Sequence, residues 1–183
     1  TRIMQKGIVM KKRSIWYVLI KALIFLGVYT LFHYAYPILP WPIFGVSESV
    51  WEHLKMGFFA ATFLIIVESI GLWVKAVVFS WTRFLISRIT GVMLVPLFLF
   101  LLFYLSVAVC GQITPLLLKV IYVVTITFIT GLLVAYIENE MLDYPWENQP
   151  LLLFLLLVFF FIAAYLFFAF TYYQPYYPLF VER

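Results

Sequence analysis

The chain has 183 residues, 66% of them hydrophobic and only 11% charged, with a net charge of +4 and a mean hydropathy of +1.09. A soluble domain of this length must cover its surface with polar groups; this composition cannot, which makes the lipid bilayer the first partner. The positive charge is no nucleic-acid footprint, because five of the twelve basic residues (Arg2, Lys6, Lys11, Lys12 and Arg13) precede the first apolar run, a placement that orients a chain at an anionic leaflet.

The expected fold class is therefore all-α, a polytopic transmembrane helical bundle of about five spans forming one transmembrane domain over 1–183. Small residues such as Gly27, Gly57, Gly71 and Gly131 would let its helices approach one another.

The first apolar run, near 14–36, is too long for a signal-peptide core and is followed by no small-x-small cleavage pattern. It carries Lys21 in its first half and His33 at its end. Pro37, Pro40 and Pro42 then break the helix. The second span, near 50–73, opens on Ser49-x-x-Glu52, a capping-box pattern, and contains His53, Lys55 and Glu68. The third, near 86–109, carries Pro96, which predicts a kink. It is followed by Cys110, the lone cysteine, which excludes an internal disulfide and any cysteine-rich metal site.

Pro115 can open the fourth span, near 115–137, and Pro150 the fifth, near 150–172. Ser106, Thr125, Thr127 and Thr130 are expected to bond back to their own helices or across to neighbours. The six tryptophans (Trp16, Trp41, Trp51, Trp73, Trp81 and Trp146) all fall near span ends, as an interfacial belt would. Tyr172, Tyr173, Tyr176 and Tyr177 read as interfacial anchors or as a lid over the outer end. Counting Lys and Arg on alternate sides, with Lys75, Arg83 and Arg88 beside the basic start, places this protein in the cell membrane. The N-terminus is then cytoplasmic and the C-terminus outside. The acidic stretch of Glu138, Glu140, Asp143 and Glu147 then falls in a cytoplasmic loop.

Ser47-Glu-Ser-Val-Trp-Glu-His-Leu-Lys55 resembles the hallmark of an uncharacterised family of small bacterial and archaeal multi-pass membrane proteins. There the run reads Asn-Glu-Ser-Val-Trp-Glu-His-Leu-Lys, with Ser47 standing here at the Asn position. Leu31-Phe-His-Tyr, Glu68 and the tail Phe170-Thr-Tyr-Tyr-Gln-Pro-Tyr-Tyr-Pro-Leu-Phe180 look similar too, the last matching a Pro-x-x-Pro-Leu-Phe ending. The resemblance implies the architecture and draws attention to these residues. It implies no reaction.

Ionisable groups in a bilayer are costly and mark candidate sites. His33 and His53 are the only histidines and flank the same turn, beside Glu48, Glu52 and Lys55. One reading is a metal site of His33, His53 and Glu52 for Zn²⁺ or Fe²⁺, with Glu52 or Glu48 as general base of a membrane metallohydrolase, or a metal-dependent oxidoreductase. A bis-histidine haem is its least favoured variant. The bland reading is that Ser49 and Glu52 cap the helix and Lys55 pairs with Glu52. Glu68 lies about 24 Å further along the helix axis and is expected to pair with Lys21 as a structural ion pair. Two other classes stand beside the enzyme: a small transporter or proton pathway using Glu52 and Glu68, and a non-catalytic subunit or scaffold with membrane-complex partners or a homo-oligomer.

Overall fold

The computed structural model describes residues 13–35, 42–45, 47, 49–74, 80–111, 115–173, 175–177 and 180. These form five long helices, α1 (Ile15–Ala35), α2 (Val50–Val74), α3 (Trp81–Cys110), α4 (Leu116–Met141) and α5 (Pro150–Tyr172), with no strand among the described residues. A single 3₁₀ turn, Trp146–Asn148, precedes α5. All five helices are long and apolar enough to cross a membrane, and the protein is an all-α, polytopic bundle.

Local chemistry sets the helix ends. Ser49 Oγ accepts the Glu52 N–H at 3.3 Å, and Ser80 Oγ accepts the Arg83 N–H at 3.3 Å, each satisfying a free donor of the first turn. Pro115 precedes α4 and Pro150 opens α5, where a missing N–H costs nothing. Gly111, at φ 74°, ends α3 by donating its N–H to the Val107 carbonyl at 2.9 Å. The helix continues on both sides of Pro96.

Packing joins α1 to α2, α2 to α3, α3 to α4 and α4 back to α1, which closes a four-helix ring. α5 stands outside this ring against α3. It also meets α2 through aromatic rings, Trp51 with Phe167 at 4.8 Å and Phe58 with Phe160 and Phe167 at 5.2 Å. A Cβ at Gly131 would lie 2.9 Å from Phe25 Cδ1 and 3.4 Å from the Ala22 backbone, so α1 and α4 meet closely there. Gly57 plays the same part against Val95 and Leu99 of α3, whereas Gly27 and Gly71 face open space and bring no helices together.

Two helix ends differ from the sequence reading. α3 begins at Trp81 rather than near 86, and α4 runs to Met141 rather than 137. In both cases a charged residue, Arg88 or Glu138, made the apolar run look finished. Both are buried in the bundle and paired with each other, so neither needs water. The tryptophan belt also needs a correction. Trp16, Trp73 and Trp81 are exposed at the end where α1 starts, but Trp51 is wedged against Phe167, Phe170 and Phe180. Trp41 lies outside the described residues.

Candidate functional site

The ring interior is polar at both ends. At the end where α1 starts, each of the four ring helices contributes a charged residue: Lys21 from α1, Glu68 from α2, Arg88 from α3 and Glu138 from α4. Arg88 holds Glu68 through two nitrogens, Nε to Oε2 at 2.7 Å and Nη2 to Oε1 at 3.2 Å, and holds Glu138 Oε2 at 3.0 Å. Lys21 Nζ stands 3.1 Å from Glu68 Oε2 and also binds Glu138 Oε2. Tyr17 donates its phenol to Glu68 Oε1. The two inward cations thus offset the two carboxylates, as an apolar medium demands, and the partly exposed Arg13 adds a third cation 4.0 Å from Glu68 at the edge of the group.

The surrounding contacts fix this group in place. Ser87 Oγ donates to the Glu138 carbonyl at 2.8 Å, and Arg83 Nη1 donates to the Leu142 carbonyl at 3.2 Å. Asn139 grips the backbone of Arg13 twice, accepting its N–H at 2.8 Å and donating to its carbonyl at 3.0 Å. The Arg13 guanidinium then lies over the Tyr17 ring at 4.3 Å. Gly91 makes room for Glu138, because a Cβ there would sit 2.7 Å from Glu138 Cδ.

At the opposite end the histidines converge. The rings of His33 and His53 stack with centroids 5.8 Å apart, and the Tyr29 hydroxyl bonds to His53 Nδ1 at 2.6 Å. Glu52 does not join them. It pairs with Lys55 at 2.6 Å, both side chains fully buried, and Lys55 also donates to Thr171 Oγ1 of α5 at 3.1 Å. The candidate cluster is therefore divided between the ring and the α2–α5 contact. Glu48 lies outside the described residues. Among the described residues, no group of three or more His, Cys, Asp and Glu side chains is placed to hold a metal ion. Phe180 packs on Trp51 at 4.8 Å, while Tyr172, Tyr173, Tyr176 and Tyr177 are exposed, so among the described tail residues Phe180 covers the tryptophan.

Between the two ends, α4 presents Thr127, Thr130, Val134 and Glu138 as one buried stripe, at the spacing of a single helix face. Tyr17, Arg88 and Glu138 were not among the sequence candidates. Tyr17 is one of thirteen tyrosines, and the other two sat at the edges of apolar runs. Their one legible signal was that α1 and α2 each carry an unlike charge at matching depth, which invites partners from the neighbouring helices.

Compared with known proteins, the chain matches no family model, no curated protein and no solved structure.

Proposed function

We propose that this chain is a small proton-conducting membrane protein, a transporter or proton pathway whose two stations lie at opposite ends of the four-helix ring. One observation carries the reading. Protonatable side chains face the same ring interior at both ends: His53 with Tyr29 and His33 at one, and Glu68 and Glu138 with Lys21 at the other. Ionisable groups inside a membrane bundle are the usual parts of proton relays. The outer station is His53 rather than Glu52, because the Glu52 carboxylate is held by Lys55 while His53 lines the cavity beside Thr127. The basic residues of the N-terminal segment put the Arg88 end at the cytoplasm and the histidines outside. The test is acidification of liposomes containing the purified protein and a trapped pH dye under an imposed gradient. Entry of protons faster than in protein-free liposomes is expected.

The stacked imidazoles also favour a second reading, a Zn²⁺ or Fe²⁺ site built on His33 and His53. Metal analysis of the purified protein, before and after incubation with either ion, tests it.

A further inference from the structure

Hydroxyl groups on a membrane helix ordinarily donate to the carbonyl one turn back. This chain follows that habit at Thr30, Thr62, Ser106, Thr125 and Thr171, with distances of 2.7–3.0 Å. Thr127 and Thr130 do not. Both are fully buried, and neither Oγ1 has a hydrogen-bond partner among the described residues. A buried hydroxyl without a partner in so apolar a setting is costly, and the cost is avoided if the partner is water.

Space for water lies beside Thr127 and again further along the same stripe. A cavity of about 10 Å³ is lined by Thr127, Tyr29 and His53 among apolar neighbours. A second, of about 20 Å³, is lined by Lys21, Glu138 and Gly131, with Phe25 on its wall. One water needs roughly 10–15 Å³ of such volume and two or more polar partners, and each cavity supplies both. On α4 the residues lining the first cavity are Val123, Ile126 and Thr127, and those lining the second begin at Gly131. Thr130 stands on the same stripe between them.

We infer that Thr127 and Thr130 are binding sites for ordered water inside the ring, Thr127 together with the His53–Tyr29 pair and Thr130 on the stretch of α4 between that pair and the Lys21–Glu138 pair. The inference deepens the proton reading by placing water on the stripe between its two stations. Its test does not depend on proton movement.

The full chain in lipid nanodiscs is exposed to millisecond X-ray pulses, which oxidise side chains touching bound water. Tyr29 and Phe25 are each only 4% exposed, and Phe58 is fully buried and lines neither cavity. Tyr29 and Phe25 should be oxidised several-fold faster than Phe58. The T127V/T130V variant, which keeps the side-chain shape, should lose that excess at Tyr29, and T125V should keep it. The thermal midpoint supplies a second sign. Removing two dry, unpaired hydroxyls would raise it, whereas removing two hydrated ones lowers it or leaves it unchanged. Oxidation of Tyr29 and Phe25 no faster than Phe58, oxidation unchanged in T127V/T130V, or a higher midpoint in that variant would overturn the inference. Fast oxidation without proton flux in liposomes would leave the water sites standing and remove the proton reading alone.

Discussion

Arg88 and Glu138, fifty residues apart in the chain, meet at 3.0 Å inside the helix ring, each at the place where its own apolar run looks finished. Their pairing lets α3 and α4 carry charge inward from the boundary, and Lys21 and Glu68 complete a neutral set around them. The group should therefore respond to the balance of charge more than to the loss of any one contact.

Glu68→Leu alone should destabilise the protein by about 3–5 kcal/mol, because it leaves the buried Arg88, with Lys21 and Arg13 beside it, facing one carboxylate. The double variant K21M/E68L keeps Arg88 with Glu138 and should lose much less. Denaturation in a fixed detergent compares the two. Equal losses would mean that charge balance is not what holds this end together.

Gly91→Ala gives a diagnostic sign. Alanine ordinarily favours a helix over glycine by about 1 kcal/mol. Here its Cβ would displace the Glu138 carboxyl from Arg88 and Lys21, and a net loss of about 1–3 kcal/mol is expected. Gly71→Ala, with nothing near its Cβ, should be neutral or stabilising. Thermal midpoints of the two variants decide it.

Glu52→Gln should weaken the attachment of α5, since it leaves the buried Lys55 ammonium without its counter-charge. Limited proteolysis should cut more readily just after Thr171, at the C-terminal end of α5. Proton flux per folded molecule should not change, because the outer station is His53 and Glu52 is engaged by Lys55.

Trp51→Ala removes a ring that touches Phe167, Phe170 and Phe180 at once. A loss of about 3–5 kcal/mol follows from such a truncation. Tryptophan fluorescence should lose a component shielded from aqueous quenchers, whereas Trp16→Phe, at an exposed position, should remove an accessible one.

Much of the fold was legible, because apolar length and proline position are local properties. Five runs long enough to span, with Pro115 and Pro150 at helix starts, required no knowledge of tertiary contacts. The approach of Lys21 and Glu68 could be read for a related reason: two lone, opposite charges lay at similar depth on consecutive spans, and they stand 3.1 Å apart. Arg88 and Glu138 could not be read, since charge at the edge of an apolar run normally means water, and only packing reveals a buried partner. The same limit applies to Glu52, where spacing allowed a helix cap, a metal ligand or an ion pair with Lys55. The threonines were misjudged because Thr125 and Thr127 are two residues apart and look equivalent in sequence. Their positions on the helix send one to the carbonyl of Ile121 and the other to the ring interior.

The central claim is that one ring interior carries protons between His53 and Glu68, and proton entry into liposomes at matched amounts of folded protein tests it most directly. Wild-type protein should outpace protein-free liposomes. Tyr29→Phe, which removes the hydroxyl held by His53, and His53→Asn should each slow entry by an order of magnitude or more. Glu52→Gln should match the wild type. Wild-type flux equal to that of protein-free liposomes, or flux that survives His53→Asn and fails in Glu52→Gln, would contradict the account.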